Sequence, residues 1–329
     1  MYPFNPEKIF KIEHERQFND LALKIFNYQA EKNLVYKEFL FHLGVNLSSV
    51  DNYKNIPFLP IEFFKTHKVI SGNQDYKKIF YSSGTTGKSR SKHYLKNITL
   101  YENSFMSAFS RFYGDIKDYC VLALLPTYLE NDSSSLVYMV DQLIQKSTHP
   151  ESGFYLNNIE ALALQLKKLE ASGQKTILFG VSYALLDLAE MFPMQLSHTT
   201  IMETGGMKGT RKELTKKELH QFLTQKLGVQ KIHSEYGMTE LLSQAYSKGD
   251  GKFFAPLWMK ILIRDTYDPF SLLHHGRSGG INIIDLANMD SCSFIETQDL
   301  GKINKDGSFE VLGRFDYSDI RGCNLLVAE

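Results

Sequence analysis

Segments with strand-like and helix-like apolar patterns alternate along the first two thirds of the chain, and this alternation restricts the folds open to it. Continuous apolar runs at 120–125 and 175–181 have the length and composition of buried strands. The segments 98–112 and 158–171 place apolar residues three or four positions apart, which is typical of helices. Strands that alternate with helices predict an α/β fold. From residue 229 onwards the candidate strands have fewer helices between them, which predicts a second sheet or a small barrel.

The charge balance and the lack of long apolar stretches exclude several classes of function. The 329 residues include 37 basic and 37 acidic side chains, so a nucleic-acid partner is not expected. The longest uncharged apolar stretches are far shorter than the ~20 residues of a membrane span, and the charged N-terminus does not resemble a signal peptide. Three cysteines without metal-binding spacing predict neither a disulfide framework nor a zinc site. We expect a soluble, cytoplasmic protein.

A glycine-rich loop follows the candidate strand at 76–81. It consists of Ser82, Ser83, Gly84, Thr85, Thr86, Gly87 and Lys88. Its hydroxyl groups and closely spaced backbone N–H groups are suited to holding a phosphate. A polar surface turn is the simpler interpretation. A P-loop is a third interpretation, because the loop ends in Gly87, Lys88 and Ser89, although a serine stands where the first glycine is required.

A second motif allows a different class of enzyme. Residues 179–186 form a candidate strand that leads through Ser182 into a helix, as the nucleophile elbow of serine hydrolases does. Ala184 stands where that motif has glycine. The required histidine is His233 or one of the pair His274 and His275. A serine acyl-hydrolase or acyltransferase that uses Ser182 is therefore an alternative function.

Four further segments follow the glycine-rich loop along the chain. They contain Gly205 with Gly206, then Tyr236, Gly237, Thr239 and Glu240, then Asp299, and finally Arg314. In this order the segments resemble those of the acyl-adenylate-forming superfamily, which includes acyl-CoA synthetases and the adenylation domains of peptide synthetases. The resemblance implies that ATP and Mg²⁺ are bound. Tyr236 would stack on adenine beside the glycine pair, and Thr239 would contact the α-phosphate. Glu240 would hold Mg²⁺, and Asp299 and Arg314 would contact the ribose.

A closer resemblance extends from about residue 50 to the C-terminus. Segments 56–69, 81–94, 124–140 and 311–326 are similar to those of LuxE-type acyl-protein synthetases, which activate fatty acids for a bacterial fatty-acid reductase. The resemblance implies the large domain of the adenylate-forming fold, with two mixed β-sheets sandwiched with helices and a smaller β-rich subdomain. We expect this domain at 51–312, after a helical segment at 1–50 and before a shortened hinge and tail at 313–329.

The remaining expectations concern the C-terminal tail. Residues 317–329 are too few for the lid domain that follows the hinge in most adenylate-forming enzymes, so we expect charge neutralisation from Mg²⁺, Lys88 or another basic group. By resemblance, Cys323 is the acyl acceptor, whereas the alternative is a small buried cysteine. The implied function is ATP-dependent activation of a carboxylic acid, a fatty acid above all, to acyl-AMP. The acyl group would then pass to Cys323 and to a reductase or acyl-carrier partner. A catalytically degenerate adenylate-binding subunit is the non-enzymatic alternative.

Overall fold

The computed structural model describes residues 2, 4–73, 75–83, 89–125, 133–155, 158–205 and 214–315. The α-helices of this part are α1 (Glu15–Lys32), α2 (Leu34–His42), α3 (Phe63–Thr66), α4 (Ile98–Tyr113), α5 (Ser135–Ser147), α6 (Ile159–Ala171), α7 (Ser182–Met191) and α8 (Lys216–Leu227). Its strands are β1 (Leu59–Pro60), β2 (Lys78–Tyr81), β3 (Lys92–Leu95), β4 (Cys120–Leu124), β5 (Gly153–Phe154), β6 (Thr176–Val181), β7 (Thr199–Thr204), β8 (His233–Tyr236), β9 (Ala245–Ser247), β10 (Phe253–Phe254), β11 (Met259–Arg264), β12 (Ser278–Asp285), β13 (Phe294–Ile303) and β14 (Phe309–Arg314). Short 3₁₀-helices lie at Pro6–Lys11, Leu47–Ser49, Tyr53–Asn55, Ile116–Asp118 and Leu286–Asn288.

Polar side chains at the N-caps explain where several helices begin. The side chains of Asn97 and Asn158 each accept a hydrogen bond from a backbone N–H in the first turn of α4 and α6. Helix α8 begins with a capping box in which Thr215 and Glu218 bond reciprocally to each other's backbone N–H groups. The sequence also contains this spacing at Thr210 and Glu213, which lie outside the described residues. The helix therefore begins at the second of two similar signals.

The main sheet has 12 strands. Eleven of them follow one another in the order β11-β12-β13-β14-β10-β9-β8-β7-β6-β4-β5, and β1 pairs with β13 beside this path. The five strands β5, β4, β6, β7 and β8 pair in parallel. The other neighbours along the path pair antiparallel, and β1 lies parallel to β13. A large mixed sheet with helices confirms the expected α/β fold. The strands of the β-rich last third, β8 to β14, belong to this same sheet.

The centre of the parallel region forms the middle of the core. Every residue of β4 and of β6 is buried. Strands that are buried on both faces are expected to be continuously apolar, which is the pattern that these segments show in the sequence. Among the described residues, no helix is both long and apolar enough to cross a membrane.

The N-terminal helices are attached to the turn that follows β12. Gln29 of α1 donates a hydrogen bond to the carbonyl oxygen of Met289 (3.0 Å), and Asn33 donates one to that of Ser291 (2.8 Å). Tyr36 of α2 stacks on Phe294, with ring centroids 6.1 Å apart. Because all these contacts are buried, they fix the position of the turn at 286–293, which also contacts the candidate active site.

Candidate active site

The hairpin of β2 and β3 holds the two ends of the glycine-rich loop together. The backbone N–H of Ser82 donates to the carbonyl oxygen of Ser91 (3.1 Å), and the N–H of Ser91 donates to the hydroxyl oxygen of Ser82 (3.0 Å). Ser83 is the last described residue before the rest of the loop. Gly84, Thr85, Thr86, Gly87 and Lys88 lie outside the described residues. Their predicted contacts with phosphate therefore stay predictions.

Glu240 lies directly against the base of this loop. Its side chain is 6% exposed and accepts a hydrogen bond from the side chain of Ser91. Burial raises the pKa of Glu240, and the hydrogen bond from Ser91 and the positive charges of Arg314 and Lys65 oppose this rise. The base of the loop and the Tyr-Gly-Met-Thr-Glu motif at 236–240 are about 150 residues apart in the sequence. They therefore meet at the carboxyl group of Glu240.

A buried histidine and an asparagine fix the backbone of the same motif. His93 of β3 places Nδ1 2.7 Å from the carbonyl oxygen of Thr239 and Nε2 2.9 Å from Oδ1 of Asn288. Asn288 in turn donates to the carbonyl oxygen of Glu240 (2.8 Å). Burial lowers the pKa of His93 to about 4, although both oxygen contacts favour the protonated ring. His93 therefore connects β3 to the backbone of residue 239 directly and to that of residue 240 through Asn288.

Tyr236, Asp299 and Arg314 come from three separate predicted motifs and contact one another. The hydroxyl of Tyr236 donates to Oδ2 of Asp299 (2.8 Å), and Nε of Arg314 donates to Oδ1 (2.9 Å). The ring of Tyr236 packs with its face tilted towards Phe253 and edge-on to Phe309. These contacts hold the carboxylate of Asp299, in the middle of β13, beside the guanidinium group of Arg314 at the end of β14. The predicted contacts of the three residues with adenine and ribose remain predictions.

The carboxyl ends of β7 and β8 lie side by side, with Thr204 paired to Glu235. Thr204 donates a hydrogen bond from its hydroxyl to Oε2 of Glu235 (2.7 Å). Burial raises the pKa of Glu235 to about 7, and the neighbouring negative charge of Glu203 adds to the rise. A Cβ atom at Gly237 would lie 2.4 Å from Oε1 of Glu235, so this position accepts only glycine without a shift of the carboxyl group. Gly205 directly follows β7 and has φ +74°, whereas Gly206 lies outside the described residues.

Ser182 has the predicted position between strand and helix, but its contacts differ from those of a nucleophile. Its hydroxyl lies 2.7 Å from Oε1 of Glu203 and 3.2 Å from the carbonyl oxygen of Gly205, and the side chain is 1% exposed. His233 instead contacts the hydroxyl of Tyr113 (3.1 Å). A serine hydrolase needs a histidine that accepts the serine proton, and no described histidine contacts Ser182. The described geometry does not support the hydrolase alternative.

The residues present fit a cation that is held mainly by a nucleotide. In the described part of the chain, no group of three or more His, Cys, Asp and Glu side chains could form a metal site by itself. Mg²⁺ commonly binds through one or two carboxylates together with substrate phosphates. Glu240 provides one such carboxylate, which is buried and beside the loop that is predicted to hold phosphate.

Comparisons with known proteins identify the family. The family model described as acyl-protein synthetase, LuxE, matches residues 4–329. The chain belongs to this family. The membership confirms the resemblance that the sequence motifs carried. A search of curated proteins gives no match.

Similar solved structures are acyl-CoA synthetases and ligases. ATP-bound MatB from Rhodopseudomonas palustris is 20% identical with a TM-score of 0.53, over 72% of this chain and 47% of that chain. MenE from Bacillus subtilis, in complex with ATP and magnesium, is 18% identical with a TM-score of 0.53, over 74% and 53%. An open conformation of 2-hydroxyisobutyryl-CoA ligase is 11% identical with a TM-score of 0.66, over 92% and 70%. The chain spans about half the length of the MatB and MenE structures, and at these identities the likeness shows the fold.

Proposed function

We propose that this LuxE-family protein activates a carboxylic acid with ATP to give an acyl-adenylate and pyrophosphate. The observation that carries the proposal is the meeting of separate motifs at two carboxyl groups, Asp299 and Glu240, on both of which the charge of Arg314 acts. Asp299 contacts Tyr236 and Arg314, and Glu240 contacts the base of the glycine-rich loop. A nucleotide that extends from Asp299 towards this loop passes Thr239 and Glu240.

The chemistry needs charge neutralisation more than it needs a base. A carboxylate oxygen attacks the α-phosphorus of ATP, the new O–P bond forms, and the bond to pyrophosphate breaks. Because the acid is already ionised at neutral pH, no proton must be removed and no general base is needed. Bound Mg²⁺ would offset the negative charge of the phosphates, with Glu240 as its protein ligand. Lys88 of the loop would add a second positive charge.

The proposed second step transfers the acyl group from AMP to a thiol, with Cys323 as the acceptor. The thiolate attacks the acyl carbon, a thioester forms, and AMP leaves. The other two cysteines are poorly suited to this role because both are fully buried. Burial raises the pKa of Cys120 to about 11 and that of Cys292 to about 12, so neither is a thiolate at neutral pH. The substrate would be a fatty acid, and a reductase or acyl-carrier protein in the cytoplasm would take the acyl group.

Acid-dependent exchange of labelled pyrophosphate into ATP tests the first step. We expect exchange with the wild-type protein and a panel of fatty, aromatic and short-chain acids. Glu240→Gln keeps the shape of the side chain but removes its charge, so exchange should fall by at least tenfold if the carboxylate binds Mg²⁺. Glu160→Gln, on the exposed surface of α6, is the matched control and should leave exchange unchanged.

Three outcomes would contradict the proposal. If the wild-type protein binds ATP but shows no exchange with any acid, the chain is an adenylate-binding subunit without adenylation activity. If exchange persists unchanged in Glu240→Gln, the metal-binding role of Glu240 is wrong. If a fluorophosphonate labels the protein and the label disappears in Ser182→Ala, Ser182 is a nucleophile and the serine-hydrolase alternative is favoured.

A further inference from the structure

The short helix α3 is fixed between two parts of the candidate active site. It follows directly after β1, which pairs with β13, the strand that carries Asp299. Phe64 of α3 packs its ring edge-on against His93, with centroids 5.9 Å apart. On the other side, the hydroxyl of Ser89 donates to the carbonyl oxygen of Lys65 (3.2 Å). The helix therefore touches the returning end of the glycine-rich loop.

Two cations in the described part of the chain act on the carboxyl group of Glu240: those of Arg314 and Lys65. Arg314 is already paired with Asp299 at 2.9 Å. Lys65 is exposed, and its ammonium group has no hydrogen bond or ion pair among the described residues. A lysine whose charge acts on the buried carboxyl group of Glu240, and whose backbone accepts a hydrogen bond from Ser89, is therefore left available for an anion.

We propose that Lys65 binds the β- or γ-phosphate of ATP and holds the pyrophosphate as it leaves. This inference rests on the proposed function, because it places the triphosphate between the loop and Glu240. Two contacts hold α3 in this position: its backbone accepts a hydrogen bond from Ser89, and its Phe64 ring packs against His93. From this position the ammonium group reaches the outer phosphates while the bond to the α-phosphorus breaks. Lysine suits this task, since its compact charge binds phosphate oxygens without a fixed approach angle.

Comparing ATP with AMP isolates the contact, because AMP lacks the β- and γ-phosphates. With calorimetric titration we expect Lys65→Ala to bind ATP about tenfold more weakly, the effect of one charge-assisted hydrogen bond, and to bind AMP as the wild type does. Lys65→Arg keeps the charge and should restore most of the ATP affinity. In the exchange assay, Lys65→Ala should raise the KM for pyrophosphate by a similar factor.

Lys92→Ala is the matched control. Lys92 is an exposed lysine of β3 between Ser91 and His93, whose side chains are both buried, so it points to the opposite face of the strand. We expect its ATP and AMP affinities to equal those of the wild type. A thermal melt of each variant checks that the fold is retained.

The outcomes separate this inference from the proposed function. If Lys65→Ala binds ATP as the wild type does, or weakens ATP and AMP equally, Lys65 does not contact the outer phosphates and the inference is wrong. If the wild type shows no acid-dependent exchange but Lys65→Ala still loses ATP affinity selectively, the adenylation proposal fails and the phosphate contact stands. If Lys92→Ala weakens ATP binding as much as Lys65→Ala does, the effect is one of general surface charge and the inference is overturned.

Discussion

Glu235→Gln should stabilise the protein at alkaline pH and have little effect on stability in mild acid. The wild-type carboxyl group lies beside Glu203 and keeps its proton up to about pH 7, whereas the same group in the unfolded chain loses it near pH 4.5. As the pH rises from 4.5 to 7, the unfolded state therefore ionises while the folded state does not. Folding stability falls over this window, because the folded state binds more protons than the unfolded state.

The size of the effect follows from the two pKa values. A difference of 2.5 units, from 4.5 to about 7, corresponds to about 3 kcal/mol at about 1.4 kcal/mol per unit. The side chain is partly exposed, so solvent reduces this value and we expect about 2 kcal/mol at pH 8. Glutamine cannot ionise, and its amide oxygen can still accept the hydrogen bond from Thr204. The variant should therefore gain this amount at pH 8 and less than about 1 kcal/mol at pH 5.

Urea denaturation at both pH values measures the difference. The free energies of unfolding of wild type, Glu235→Gln and the surface control Glu160→Gln are compared at pH 5 and pH 8. The decisive quantity is the change in the stabilisation by Glu235→Gln between the two pH values, because any effect of the new side chain that does not involve ionisation cancels. If the stabilisation is the same at pH 5 and pH 8, or if the variant is less stable at pH 8, the carboxyl group of Glu235 does not hold its proton in the way described.

Two further predictions concern residues outside this carboxyl group. His93→Ala removes the buried contacts to Thr239 and Asn288, so the free energy of unfolding in urea should fall by about 2–4 kcal/mol; a loss below 0.5 kcal/mol would mean that these contacts do not brace the motif. Cys323→Ser should retain pyrophosphate exchange and lose the hydroxylamine-sensitive acyl label that we expect on the wild type, and a thioester label that persists in this variant would place the acceptor elsewhere.

The sequence predicted helices and buried strands best where the pattern is long and regular. The helix expected at 98–112 is α4 (Ile98–Tyr113), and the strand expected at 175–181 is β6 (Thr176–Val181). The segment 229–233, with the apolar residues Val229 and Ile232, also predicts a strand, and this prediction is wrong in position because β8 is His233–Tyr236. The apolar Val229 and Ile232 are buried before this strand begins, whereas the strand itself carries polar groups towards the candidate active site. A strand whose polar side chains face a functional site does not have the apolar pattern of a core strand.

The candidate active site was predictable only where its residues form a local motif. Tyr236, Asp299 and Arg314 were found from separate short patterns, and the structure brings them into contact. Asn288 was missed, because it lies in a short 3₁₀-helix and gains its role from contacts with Glu240 and with His93, 195 positions away in the sequence. Lys65 was missed for the same reason, since its position beside Glu240 depends on how α3 packs against the hairpin.

The contacts of Ser182 explain why a chain of this family carries a pattern that resembles a nucleophile elbow. A nucleophile needs the order serine, histidine, acid, with the histidine in the middle. Here Glu203 is in the middle: Oε1 accepts from Ser182 at 2.7 Å, and Oε2 accepts from the hydroxyl of Ser234 at 3.0 Å. These three residues belong to β7, β8 and the start of α7, so the carboxylate ties together the strand ends that lead to Gly205 and Tyr236. Ser182, directly after β6, therefore helps to place the neighbouring motifs, and its hydroxyl is occupied by these contacts.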